Sequence, residues 1–480
     1  MNKNLVGLLQ SFSKNEWGDF EDFISSPYYV KSRDYGELFV LIKKLFAKDK
    51  SMLDYSVDDI QQLLKGKFSK QTIHNRIYEL NKLAEKFLIV KNQEKNPIEN
   101  FACLFDELVE RSLFSSYNIS HKNNKDKIQP VEINDFIPYC RIIQAEGFYQ
   151  RHNSNFPETI IQFSKQADYI SAYFLDKLVY YYTEYFLFDS INIPYNADNF
   201  KVLFNSIDLD KIAVKYSNSG YVIFKPFLMR YYILKALQNT KDEKLADGVH
   251  VYFEKNRSSF TVNVKTDYFQ KMQAYYNFLI NSGDESAFKK VHELHKERLE
   301  DGETINFSMM SYPATEFRDF VIVGLNADDF KWVEDLISKH SGKLHPTIRK
   351  EEITLAKVRL NIARKDLLMA VQLLKKQKNS KSHVHNIDSY VYKIMLYFEL
   401  TMFDKMDLEI DNLTHYLNKS GLVEIQLKNT KIFVDNIQRL MRIIKKTSKE
   451  SMSEFTEHIN TSPESVSIKK WFLKVTNNLE

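Results

Sequence analysis

Residues 348–366 read IRKEEITLAKVRLNIARKD, and this stretch indicates how the chain folds. Its apolar residues recur every three or four positions, which predicts an α-helix. They occupy two faces of that helix, with Ile353, Ala356, Leu360 and Ala363 on one and Leu355, Val358 and Ile362 on the other. A helix that is apolar on two sides needs a neighbour on each of them. The stretch therefore predicts one member of a stack of helices.

The end of this helix, Ala363-Arg-Lys-Asp366, belongs to a pattern that recurs along the second half of the chain. In five places a polar turn leads through an aspartate into another helix, at Asp242, Asp284, Asp328, Asp366 and Asp404, with separations of 38 to 44 residues. An aspartate at a helix start accepts hydrogen bonds from first-turn amides and suits the positive end of the helix dipole. Capped helices at a near-constant period predict stacked helical hairpins, an α-solenoid.

The composition points to the same fold class. The chain has only 12 Gly and 10 Pro among 480 residues, whereas these two residues usually make up roughly 12% of a protein. Because glycine serves tight turns and proline breaks helices, their scarcity predicts an all-α protein. The net charge is +4, from 67 basic and 63 acidic residues, so the overall charge favours neither nucleic acid nor a membrane as partner.

The chain is expected to have two parts joined by a polar segment. An N-terminal helical domain covers 1–117, the linker 118–134 is the most polar stretch, and the solenoid covers 135–480. In the first part, Ser13 with Glu16 three residues later forms a capping box. Ser69 is expected to start a long amphipathic helix.

The second half resembles the tetratricopeptide-like superfamily of helical hairpins over roughly residues 220–445. The resemblance rests on the Leu, Ala and aromatic packing around the five turns, while the periods exceed that family's 34 residues and its Trp-x-x-Leu-Gly-x-x-Tyr signature is missing. The opening, Phe12-Ser-Lys-Asn-Glu-Trp17 through Ser26-Pro27-Tyr28-Tyr29, is similar to the start of an uncharacterised family of bacterial helical-repeat proteins. That second resemblance implies no activity.

Residues 57–90 outline a helix-turn-helix-like segment: a short helix, a turn containing Gly66, and a longer helix. From 65 to 91 there are seven Lys or Arg against two Glu, a net charge of +5. The side chains that could contact phosphates or base edges are Lys67, Lys70, Asn75, Arg76 and Lys82. A helix pair with a solvated basic face is the alternative interpretation.

Motifs for catalysis and cofactors are missing from the sequence. It contains no glycine-rich phosphate loop and no Gly-x-Ser-x-Gly elbow, so we expect no enzyme and no cofactor, although an enzyme class without short motifs stays a third hypothesis. His292 and His295 have a spacing that could chelate a metal, but the absence of a third ligand nearby favours an exposed helix. Cys103 and Cys140 are expected to be buried thiols in a reducing, cytoplasmic protein.

The sequence therefore predicts a non-catalytic scaffold that binds another protein or peptide on the concave side of a solenoid. The expected lining is the polar stripe Lys350, Lys357, Asn361 and Arg364, which favours an acidic partner. The alternative is a DNA-associated regulator that uses the basic helix 69–90. A monomer is expected because a solenoid can cap its own ends, and no membrane partner is expected because charged residues interrupt the most apolar stretch, Leu175 to Phe188.

Overall fold

The computed structural model describes residues 3–30, 34–48, 55–190, 196–302, 314–344, 346–375, 383–419, 424–462 and 466–479. Within these ranges the chain forms 24 α-helices and no strand, so the predicted all-α class is confirmed. The chain divides into two compact units, Met1–Phe174 and Leu175–Glu480.

Unit 1 contains the helices α1 (Lys3–Ser11), α2 (Lys14–Ser25), α3 (Gly36–Lys48), α4 (Val57–Leu63), α5 (Lys70–Lys95), α6 (Pro97–Glu110), α7 (Phe114–Asn123), α8 (Phe136–His152) and the first part of α9 (Phe156–Ser190). The first five helices share an aromatic core in which Phe12, Phe20 and Phe87 lie with ring centroids 5.3–5.4 Å apart. The predicted caps are present: Ser13 and Glu16 form a capping box, and Ser69 accepts a hydrogen bond from the Thr72 amide.

Residues 118–134, predicted to be a linker, pack within unit 1. Helix α7 covers the start of this segment, and Ile128, 2% exposed, joins a core with Phe105 and Tyr139. The division between the units falls instead after Phe174, inside α9. The prediction followed the polar residues of this segment and overlooked two buried isoleucines, Ile128 and Ile133, whose apolar side chains hold the segment against unit 1.

Unit 2 contains the rest of α9 and the helices α10 (Asp198–Asn205), α11 (Leu209–Ser217), α12 (Lys225–Gln238), α13 (Glu243–Asn256), α14 (Val262–Asn281), α15 (Ala287–Asp301), α16 (Ala314–Asn326), α17 (Phe330–His340), α18 (Pro346–Ala363), α19 (Leu367–Lys375), α20 (His383–Glu399), α21 (Phe403–Lys419), α22 (Glu424–Ile444), α23 (Met452–Thr461) and α24 (Val466–Leu479). From α12 onward each helix packs against the next, and α13 meets α14 through the stacked rings of Phe253 and Tyr268. In addition, α12 contacts α14, α16 contacts α18, and α18 contacts α20. This is a helical-repeat arrangement, in which the first helices of successive hairpins lie side by side.

The five predicted aspartates do not all cap helices. Asp242 and Asp366 do, accepting hydrogen bonds from the amides of Lys244 and Met369 at 3.1 Å. Asp328 does not, because it adopts the left-handed conformation (φ 60°) that ends α16. Its neighbour Asp329 is the N-cap of α17 instead. The other two do not occupy the cap position: Asp284 lies two residues before the N-cap Ser286, and Asp404 is the second residue of α21.

Many of these helices end in a left-handed residue that is not glycine. Seven such positions are described: Lys65, Ser112, Ser154, Asp328, Lys365, Thr401 and Lys446. At Lys365 (φ 64°) the turn has the Schellman pattern, since the amide of Asp366 donates to Asn361 at 2.9 Å and that of Lys365 to Ile362 at 3.0 Å. The scarcity of glycine thus does not mean that tight helix ends are scarce.

We expect Lys365→Gly to raise the free energy of unfolding by roughly 0.5–1 kcal/mol, because glycine adopts the left-handed conformation without the steric cost that a Cβ brings. Chemical denaturation would measure the change. Lys365→Ala is the matched control, since it removes the same charge and keeps the Cβ. Equal stability of the glycine and alanine variants would contradict the backbone explanation.

Candidate protein-binding surface and its buried support

The predicted stripe lies on α18 and just beyond its end. Lys350, Lys357 and Arg364 are exposed, and Asn361 is half-buried. Two of the four side chains are engaged within the protein: Arg364 pairs with Glu334 of α17 at 2.6 Å, and the Asn361 amide donates to the Lys357 carbonyl oxygen at 2.8 Å. Among the described residues, no carboxylate lies within 4.0 Å of the Lys350 or Lys357 ammonium, so these two cations face solvent and can attract an acidic ligand.

The opposite side of α18 carries buried charges. Glu352 and Arg359 are 1% and 4% exposed, and each follows a stripe lysine by two positions, which turns it to the far side of the helix. Arg318 of α16 approaches Glu352 at 3.4 Å, and Arg359 donates to Asp388 of α20 at 2.6 Å. Ion pairs that each include one buried member, Glu352 or Arg359, therefore join the first helices of three consecutive hairpins.

His385 of α20 completes this cluster. Its Nδ1 lies 3.4 Å from Glu352 Oε1, and the imidazole is 1% exposed. Burial alone would raise the pKa of Glu352, but His385 and the Arg318 guanidinium outweigh that effect, and the pKa is lowered. Glu352 is therefore an anion in the interior, held by partners from both neighbouring helices.

A second buried cluster joins α9, α12 and α14. The Arg230 guanidinium lies between Asp176, to which it donates a short hydrogen bond, and Asp267, which it contacts at 2.9 Å. Lys271 of α14 pairs with Glu184 of α9. Buried charges are tolerated only when they are paired, and each charge here has its partner on a neighbouring helix.

Between the two clusters, α14 and α16 are linked through a carboxyl group. Gln273 Nε2 donates to Asp319 at 3.4 Å. Burial raises the pKa of Asp319 to about 6. The sequence analysis did not predict these buried polar residues. An arginine surrounded by apolar and aromatic residues, as in Phe227-Leu-Met-Arg230-Tyr-Tyr, is a signal that could have indicated them.

The five residues proposed for nucleic acid lie on or before α5, and each has a partner in unit 1. Lys67 pairs with Glu37, Lys70 with Asp58 at 2.6 Å, and Lys82 with Glu85 at 3.0 Å, while Asn75 accepts from Gln71 at 3.0 Å. Arg76 donates to the Asp34 carbonyl oxygen at 2.7 Å and stacks on Phe68 with its guanidinium carbon 4.0 Å from the ring centroid. The charge predicted to attract phosphates is thus largely compensated within the protein.

The paired histidines on α15 were expected on an exposed helix, but both are buried. His292 is 3% exposed and lies 3.1 Å from Asp329, and His295 is 1% exposed and packs on Phe320 at 4.2 Å between ring centroids. Over the described ranges, no group of three or more His, Cys, Asp or Glu side chains is placed to hold a metal ion. The expectation for one thiol is also wrong: Cys140 is buried, but Cys103 is exposed beside Glu99.

None of the helices in the described part of the chain is long and apolar enough to cross a bilayer. Compared with known proteins, the chain matches no protein-family model, and no curated protein sequence matches it.

Proposed function

We propose that the protein is a non-catalytic, cytoplasmic and monomeric scaffold that binds a partner protein or peptide on its helical-repeat unit, with acidic residues of the partner at the contact. The observation that supports this most directly is the pair of exposed, uncompensated lysines Lys350 and Lys357 on α18. They lie seven residues apart, so they project from the same side of the helix.

The buried charges behind the lysines support the same proposal. Because Glu352 and Arg359 anchor α18 to α16 and α20, the helix presents its exposed side on a fixed frame. A surface that is already ordered loses less entropy on binding, which favours affinity. The proposed tetratricopeptide-like character of the hairpins agrees with this, since repeat arrays of this kind offer extended binding surfaces.

Charge reversal at Lys350 and Lys357 is expected to reduce recovery of the partner roughly tenfold in affinity capture from native lysate, because each attractive charge becomes repulsive. Arg364 is left unchanged, since a glutamate there would face Glu334. The matched control is Lys289→Glu with Lys331→Glu, two exposed lysines on other helices with the same total change in charge.

Both bound protein and bound nucleic acid should be identified in this experiment. Equal recovery by the Lys350/Lys357 variant and by unmodified protein would remove the stripe from the mechanism. Capture of nuclease-sensitive DNA in place of a protein would favour the alternative, in which α5 contacts DNA and gives up the pairings of Lys70 and Arg76.

A further inference from the structure

Helices α12 and α13 enclose a cleft of about 770 Å³ in unit 2 that the proposed function does not use. Its walls carry aromatic, apolar and cationic groups, including Tyr232, Lys244, Gly248, Val251, Tyr252 and Lys255. The two tyrosine rings meet edge to face with centroids 5.0 Å apart, and Val251 is 65% exposed. An open wall of this composition can bury an apolar or aromatic side chain.

One side of α13 forms the cationic part of the cleft. Lys244, Gly248, Val251 and Lys255 follow at intervals of four, three and four, which places them along one face of the helix. Lys244 and Lys255 are exposed, and in the described part of the chain no carboxylate lies within 4.0 Å of either ammonium. Lys235, also at the cleft, is instead paired with Asp210 at 2.8 Å.

Gly248 is unexpected in the middle of α13. Glycine is the poorest helix former apart from proline, and a position inside a helix does not need its conformational freedom. A Cβ at Gly248 would meet no atom within 4 Å, whereas at Gly324 it would lie 2.7 Å from Val333. Close packing therefore explains the glycine at position 324 but not the glycine at position 248. A side chain at position 248 would project into the cleft. Gly18 in α2 has the same open surroundings, so the glycine indicates a ligand only together with the cleft that it lines.

We propose that this cleft binds an acidic peptide segment of the partner, with an apolar or aromatic side chain on Val251 and Tyr252 and carboxylates at Lys244 and Lys255. The inference rests on the proposed function and names a second contact for the same acidic partner. A peptide fits better than a nucleic acid, because only two cations are uncompensated and the Asp242 carboxylate at the cleft would repel a continuous phosphate backbone.

The test uses the full chain and a fluorescently labelled peptide of about twelve residues that has Glu on both sides of a Leu-Tyr pair. Fluorescence anisotropy is measured for the unmodified protein and for Gly248→Leu, Lys244→Glu with Lys255→Glu, and Gly18→Leu. We expect the first two variants to bind at least about tenfold more weakly, and the Gly18 variant to bind as the unmodified protein does. Because leucine is the better helix former, Gly248→Leu loses binding while its thermal stability is kept or raised.

Peptide probes separate the two parts of the proposal. A peptide with Gln in place of Glu should bind weakly because the charges are lost, and polyglutamate should bind weakly because the apolar pair is missing. If the Gln peptide bound the unmodified protein as tightly as the acidic peptide does, the role of the lysines would be overturned. If polyglutamate bound as tightly, the role of the apolar wall would be overturned. Tighter binding of oligothymidylate than of the acidic peptide would overturn the choice of a peptide ligand.

The proposal for the cleft and the proposal for the stripe can be contradicted separately. If the acidic peptide binds equally well to the Gly248→Leu and the Lys244/Lys255 variants but loses binding when Lys350 and Lys357 are reversed, the cleft proposal is wrong and the scaffold proposal stands. If the peptide shows no binding at concentrations up to about 1 mM, which corresponds to a binding free energy weaker than about −4 kcal/mol, the cleft proposal is overturned. The scaffold proposal is then still decided by capture of the natural partner.

Discussion

Replacing Arg230 with methionine should lower the free energy of unfolding by about 3–5 kcal/mol, because it leaves uncompensated charge in the interior. The guanidinium is the shared partner of Asp176 and Asp267, whose side chains are 0% and 10% exposed. Burial raises the pKa of Asp176, and Arg230 opposes that rise. Methionine keeps much of the side-chain volume, so the expected loss comes from the charges rather than from a cavity.

Chemical denaturation at neutral pH would measure this effect. A variant with Arg230→Met, Asp176→Asn and Asp267→Asn removes all three charges and should recover most of the lost stability, because no buried ion is left without a partner. The surface control is Arg364→Met, which removes an exposed pair with Glu334 and should cost far less stability than Arg230→Met, because water screens both charges. If Arg230→Met lowered the free energy of unfolding no more than Arg364→Met does, the buried contacts of Arg230 with Asp176 and Asp267 would not stabilise the helical stack.

Acidification should destabilise the protein through His295. Burial, helped by the nearby Arg298 and His292 charges, lowers the pKa of His295 to about 3, whereas an unfolded histidine has a pKa near 6.5. Between these two values the unfolded chain binds a proton that the folded chain does not, so stability falls as the pH falls from 6.5 towards 3. The expected loss from this residue is about 2 kcal/mol between pH 6.5 and pH 5.

His295→Leu should remove that loss, and the difference between the two proteins, measured by denaturation at several pH values, isolates the effect. The exposed His74 supplies the control, since His74→Leu changes a side chain that is solvated in both states. Asp319 acts in the opposite direction, because its raised pKa, about 6, makes acidification between pH 6 and pH 4 stabilising. Parallel pH curves for unmodified protein and His295→Leu would contradict the prediction.

Local structure in this chain was largely predictable from the sequence. The capping box at Ser13, the start of α5 after Ser69 and the burial of Ile73, Ile77 and Leu80 all depend on residues three or four positions apart. Such contacts are made within one helix, whatever surrounds it. The cap at Asp328 failed for a related reason: two consecutive aspartates can each cap a helix, and the left-handed residue that ends α16 decided between them.

The candidate surface was only partly predictable. The sequence identified Lys350, Lys357 and Arg364 as one polar side of α18, but their periodicity could not show that Arg364 is compensated by Glu334 on a neighbouring helix. Nor could it show the α12–α13 cleft, whose walls come from two helices and include Gly248, where a Cβ would meet no atom within 4 Å.

The sequence by itself determined that the protein is helical, where most helices begin, and which faces of them are apolar, because propensity, capping and periodicity act over a few neighbouring residues. Only the tertiary structure decided which charges are buried. Arg230 and Lys350 both lie in helices, yet the first is enclosed by Asp176 and Asp267, which lie 54 and 37 positions away along the chain, and the second faces solvent. Burial depends on what the neighbouring helices bring to the same point, and that information is distributed along the whole chain.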